Sequence, residues 1–321
     1  MPNPLRAFAN TALLALGIAA LASCNAQRTP PNIVATETVQ ACGATITVNF
    51  TAGDLDLPHA DILHWVQTAA DSVATYYGRF PVKSMIVYVT PRADRDGVLN
   101  GTTWGGPTPR TRMGVGQHTT VAELNDDWTM THELIHTAFP DLPDDNHWIE
   151  EGLAVYVEPI ARVQHGTLSQ DVVWADMIKN MPKGQPDPTD RGLNNTHDWA
   201  STYWGGALFF LVADVRIREQ THNRLGLQDA LRAILNAGSI EIDSTPQAAF
   251  AIGDKAVGGR VLEDIYAAVR DAPAQQDLAA IWKKLGVSPG PKGGVIYDDK
   301  APEAAIRKAI FAPHPACKAT P

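Results

Sequence analysis

His132-Glu133-Leu134-Ile135-His136 sets two imidazoles and a carboxylate at a spacing that suits metal chemistry. On a helix the two histidines stand about one turn apart on one face, where a ring nitrogen of each can reach a single ion, and Glu133 then points beside it. Zinc that activates water for hydrolysis takes three protein ligands and keeps one open position, so a third donor is expected nearby. Glu150 and Glu151 compete for that role on residues 147–158, which read as a second short helix capped by Asp145 or Asn146 and broken at Pro159. Without the histidine pair, acids in a first helical turn would be read as groups favoured by the helix dipole. The other histidines, His147 included, share no such spacing and are expected to be surface or capping residues.

Trp148-Ile149-Glu150-Glu151-Gly152, coming shortly after the histidine pair, resembles the Trp-x-x-Glu-Gly of the gluzincins, thermolysin-like zinc peptidases in which that glutamate is the third ligand. The resemblance selects Glu151 and implies one zinc ion held by His132, His136 and Glu151. It continues through Tyr156 and Glu158, since aminopeptidase-N-like enzymes carry a similar Glu-Gly-x-x-x-Tyr-x-Glu run. Glu158 lies two helical turns beyond Glu151, which suits a carboxylate that orients a ligand histidine. Farther on, Tyr203-Trp204-Gly205-Gly206-Ala207-Leu208 is similar to a Tyr-x-x-Gly-Ala-Leu helix of the aminopeptidase-N and glycyl-aminopeptidase families, whose tyrosine binds the oxyanion. A packed tyrosine on a buried helix is the plainer reading. One motif is missing: in place of the Gly-x-Met-Glu-Asn that holds a substrate's free amine, the segment before the metal helix reads Thr111-Arg-Met-Gly-Val-Gly-Gln117.

The implied fold is α+β, a zincin (thermolysin-like) metallopeptidase with a mixed-sheet N-terminal lobe and a mainly helical C-terminal lobe. The implied activity is zinc-dependent hydrolysis of peptide or protein substrates, with Glu133 as general base and Tyr203 opposite the metal. Two other readings keep the same residues: a zincin-fold lipoprotein that binds or scaffolds without turnover, and a zinc hydrolase of a non-peptide amide or ester. Glu133 argues against the first, because a binding protein has no need of a base beside the ligands.

The elements that must position these groups follow from periodicity. Ala44-Thr-Ile-Thr-Val-Asn-Phe50 alternates as a strand does, and residues 84–90 read as a more buried one. Between them Ile62, Trp65, Val66, Ala69, Val73, Tyr76 and Tyr77 recur at helical spacing after Pro58, giving a β-α-β start. Residues 96–109 read as a Gly- and Pro-rich loop, and 110–116 as a short edge strand. Asp126 and Asp127 can cap the metal helix, which Pro140 and Pro143 end. Residues 180–198 form a long loop able to line or cover a cleft, and helical patterns follow near 199–220, 226–237, 260–270 and 276–285. The lobes divide at 41–165 and 166–321.

The chain has 321 residues, 45% hydrophobic, enough for a packed core. Its formal net charge of -9 speaks against nucleic acid as a partner. Residues 1–23 read as a signal peptide, with Arg6 ahead of an apolar run too short to span a bilayer. That run ends in Leu21-Ala22-Ser23-Cys24, which resembles a bacterial lipobox; an ordinary cleaved signal is the alternative. Residues 24–40 would then be a lipidated Cys24 and a polar tether. The expected location is the bacterial cell envelope, lipid-anchored on the periplasmic side, or secreted if the lipobox is unused. Cys42 and Cys317 would be left to form a disulfide, or to stay as two buried thiols.

Overall fold

A computed structural model describes residues 32–313. The leader, Cys24 and Cys317 lie outside the described residues. The chain opens with a hairpin of β1 (Ile33–Ala41) and β2 (Ala44–Thr51), joined by Cys42 and Gly43 at φ 47° and 84°. Two successive positive φ angles match the twist of a tight hairpin. Residues 33–41 are thus a strand rather than the end of a tether, because Ala35, Glu37, Val39 and Ala41 alternate inward along the pleat.

Helix α1 (His59–Tyr77) carries the chain across to β3 (Ser84–Arg92), parallel to β2, as the β-α-β pattern requires. The sheet order is β1-β2-β3-β5-β4, with β4 (Val98–Trp104) antiparallel to β5 (Arg110–Gly116). Two expectations are corrected here. The 96–109 loop contains a strand, and β4 rather than β5 is the sheet edge. Gly97, Gly101, Gly105 and Gly106 hide β4 from a periodicity reading, and an edge strand facing a cavity lacks the alternation of a half-buried one.

After α2 (Val121–Asp126) and α3 (Thr129–Ile135), α4 runs from His147 to His165, straight through Pro159. The expected break is absent because Pro159 and Val155, whose carbonyl the ring leaves unbonded, both line a cavity rather than packed chain. Asn146 occupies the cap position, but its amide donates to Asn194 and Tyr266 instead. Helices α1, α3 and α4 touch one another, with α3 also against β4 and β5.

The second half is helical: α5 (Gln170–Asn180), a π-helical turn Ala200–Gly205 leading into α6 (Gly206–Gln220), α7 (Leu227–Ala237), α8 (Pro246–Val257), α9 (Val261–Val269), α10 (Leu278–Leu285) and α11 (Ala304–Ile310). A small hairpin, β6 (Val287–Pro289) with β7 (Val295–Tyr297), sits between the last two helices. The 180–198 segment lines two cavities: Met181 one of about 670 Å³ beside α4 and α5, and Gly184, Gly192 and Leu193 a pocket of about 30 Å³ against α6 and α9.

Helices α4 and α6 cross at Gly152 and Gly206. A Cβ at Gly152 would overlap the Gly206 backbone, and one at Gly206 would overlap the Trp148 carbonyl. About two turns further along α6, buried Asp214 accepts from Tyr156 Oη at 3.0 Å, Arg218 Nε at 2.8 Å and the Leu227 backbone N–H at 2.9 Å. Gly152→Ala is expected to lower stability by about 3 kcal/mol or fail to fold, since neither backbone can yield as a side chain would. Urea denaturation of the variant measures this, and a loss below about 0.5 kcal/mol would refute the contact.

Candidate metal centre

Asp127 fixes the start of α3: its carboxylate accepts from Thr129 N–H and Met130 N–H at 3.0 Å each and from Trp65 Nε1 at 3.1 Å. Buried Met130, Leu134 and Ile135 then anchor one face of α3, and His132 opens onto a cavity on the other. The α-helix stops at Ile135, earlier than Pro140 alone would dictate, and His136 begins a 3-10 turn. It still sits with its ring 5.0 Å from that of His132.

Glu151 comes in from the first turn of α4. Its Oε2 lies 3.0 Å from His132 Nε2 and 3.9 Å from His136 Nε2. One donor atom from each of the three residues falls within 4.8 Å of the others. Zinc bonds of about 2.0–2.2 Å in tetrahedral geometry require donors roughly 3.4 Å apart. The protonation states also suit a metal. Burial, with the neighbouring His132, pushes His136 down to about 3, leaving a neutral imidazole. Burial would raise Glu151, but its bonds to His132 and His147 hold it well below the usual carboxylate range. Two imidazoles, one carboxylate and an open cavity fit zinc.

Glu133 projects from α3 beneath the edge strand. A Cβ at Gly101 would overlap its side chain, so only glycine lets β4 pass over it. Thr103 of the same strand places Oγ1 2.7 Å from Glu133 Oε2 and 2.8 Å from the buried Thr111 Oγ1. The Thr103 hydroxyl therefore holds one carboxylate oxygen and leaves Oε1 for other partners. Burial raises the Glu133 pKa above its ordinary value, and the bond from Thr103 opposes that rise.

Tyr203 approaches from the far wall on the π-helical turn, its ring stacked 6.3 Å from His132 and 5.8 Å from Trp199. Burial, together with the neighbouring Glu151 carboxylate, pushes its phenol up to about 12, so it remains a proton donor. The Gly206 crossing, three residues on, explains why this tyrosine faces this glutamate.

These groups line a cavity of about 660 Å³ bounded by β4, α3, the start of α4 and Tyr203. A second cavity of about 670 Å³ shares Trp128, His132 and Tyr203 with it and has apolar walls that include Leu168, Val173 and Met177. Trp128 and Trp199, 51% and 60% exposed, stand beside the shared groups.

His132, Glu133, His136, Glu151 and Tyr203 are thus brought together. Glu158 behaves differently: buried, it faces the apolar cavity and pairs with Arg162 Nη1 at 3.1 Å rather than with a ligand histidine. Burial lifts its carboxyl to about 7. Among the described residues His132 Nδ1 has no hydrogen-bond partner, although it is buried. Cys42 is disulfide-bonded. Three residues at the site escaped the sequence reading. Gly101 and Thr103 lie on the unrecognised strand, and His147 stands 3.1 Å from Glu151 Oε1. The i,i+4 spacing of His147 and Glu151 was the available signal for the last.

No protein-family model matches the sequence, and no curated protein does. Solved structures do match. An aminopeptidase N family protein from Idiomarina loihiensis aligns with a TM-score of 0.58 at 13% identity, over 79% of this chain and 49% of its own. A variant of a two-domain M1 zinc metallopeptidase bound to L-arginine aligns with a TM-score of 0.50 at 16% identity, over 76% of this chain and 53% of its own. The chain spans about half the length of these structures and shares the fold of the part it covers, a mixed sheet followed by helices.

Titration with zinc is expected to show one ion per chain, and His136→Ala to weaken binding at least about 100-fold. Gly101→Ala and Thr103→Val, which touch Glu133 but no donor, are expected to bind zinc as the native chain does. Equal affinity in His136→Ala would dismiss the donor set.

Proposed function

We propose that this chain is a zinc-dependent peptide-bond hydrolase of the cell envelope. The observation that carries the reading is the convergence of a three-donor set, a carboxylate base and a phenol on one cavity under an open sheet edge. His132, His136 and Glu151 would hold the ion. When bound, zinc supplies a Lewis acid that brings the pKa of water toward neutrality and polarises a carbonyl.

The remaining steps belong to the chain. A peptide laid beside β4 presents its carbonyl between Glu133 and Tyr203. Glu133, with Oε2 held by Thr103, takes the proton of the attacking water at Oε1 and passes it to the leaving amine. Tyr203, still protonated at working pH, donates to the oxygen that becomes negative. The apolar cavity past Trp128 offers room for a substrate side chain. β4 reads Val-Leu-Asn-Gly-Thr-Thr-Trp and supplies no acid for a free amine, while Asp141, Asp144 and Glu150 line the same cavity.

The location rests on the Leu21-Ala-Ser-Cys24 run and the signal-like segment before it, which support export and lipid attachment at Cys24. Among the described residues no helix is long and apolar enough to cross a membrane.

Purified protein is expected to contain zinc and to cleave a mixed peptide library. Glu133→Gln should keep the metal and lose turnover by at least about 100-fold, and Tyr203→Phe should lower kcat about 100-fold with little change in KM. Zinc without cleavage of any peptide would overturn the peptidase reading in favour of another substrate. Mass spectrometry of the mature N-terminus in a bacterial host should find lipid on Cys24 and none in Cys24→Ser; an unmodified Cys24 would remove the anchor.

A further inference from the structure

We propose that His147 is a positioning residue that holds Glu151 so that a single carboxylate oxygen faces the metal. The inference rests on the zinc reading above and concerns a residue outside the donor set. The two oxygens of Glu151 have different partners: Oε2 lies 3.0 Å from His132 Nε2, while Oε1 lies 3.1 Å from His147 Nε2. A carboxylate turns readily about its last torsion, whose energy profile is broad, and can meet an ion with one oxygen or two. A ring nitrogen 3.1 Å from Oε1 restrains that rotation and directs Oε2 toward the histidine pair.

His147 is itself supported. Its Nδ1 lies 3.5 Å from Glu150 Oε2, and Glu150 Oε1 accepts from the Leu142 backbone N–H at 3.3 Å. The chain of contacts thus ties the loop after α3 to the third ligand, passing through Glu150 and His147. Helix geometry supplies the reach, because His147 and Glu151 are i,i+4 neighbours on the first turn of α4. The His147 side chain is 57% exposed, so it has no place in the core and its removal does not threaten the fold.

The test compares native protein, His147→Ala and His147→Gln, whose amide N–H can replace the ring donor. Zinc affinity is measured by competition with a chromophoric chelator, and coordination by the visible spectrum of the cobalt-substituted protein. His147→Ala is expected to bind zinc about 10- to 100-fold more weakly and to shift the cobalt bands toward the weaker absorption of a higher-coordinate ion. His147→Gln should recover much of both. Native affinity with an unchanged cobalt spectrum in His147→Ala would overturn the role. Complete loss of metal in both variants would overturn it too, making His147 a ligand in its own right. Failure of the native protein to take up either metal would instead bring down the zinc reading itself.

Discussion

The site depends on two helices meeting without side chains between them. Gly152 and Gly206 let α4 and α6 approach backbone to backbone, and each glycine is chained to a functional group: Glu151 precedes the first, and Tyr203 lies one turn before the second. The crossing therefore sets the span across the cavity. Behind it, Asp214 binds Tyr156 from α4 and Arg218 from α6, so a buried carboxylate with its lone pairs satisfied joins the same two helices again. Trp148, packed edge-on to Phe209 and stacked on Tyr266, fills the space on the near side. A lone close contact could slide; this one is bracketed.

A second constraint acts from the sheet. Glu133 must be buried enough to lie under β4, yet burial favours its neutral form, in which it accepts no proton. The Thr103 hydroxyl, steadied by Thr111, opposes this by bonding the ionised carboxylate. The same strand thus creates the enclosure and offsets part of its electrostatic cost. Gly101 is the steric condition for both, since any larger residue would push the strand or the carboxylate away.

Groups whose geometry is local were legible in the sequence. His132 and His136 lie one turn apart, and a helix long enough for one turn suffices to bring them together. Glu151 and Tyr203 were readable through the resemblance, whose Trp-x-x-Glu-Gly and Tyr-x-x-Gly-Ala-Leu motifs each contain a glycine of the helix crossing. Features set by distant packing were not readable. β4 carries Gly101 because of Glu133, which lies 32 residues away in sequence. Glu158 pairs with Arg162, its i,i+4 neighbour on α4, whereas His132 comes from another helix, and the pattern within one helix does not say which partner is taken. Pro159 should end a helix by local rules, and the cavity beside it removes the clash that enforces the rule.

The open side of β4 has a consequence of another kind. An unpaired strand edge is a template for any extended backbone, and proteins ordinarily blunt such edges against strangers. This one is recessed: its residues from Val98 to Gly105 all line a cavity that α3, α4 and Tyr203 wall on the other sides. A folded domain, whose backbone groups already have partners, has no free strand to pair with it. A frayed terminus, an unfolded stretch or a released fragment has one. On the proposed reading, the strand edge would favour chains by conformational state before side-chain identity matters.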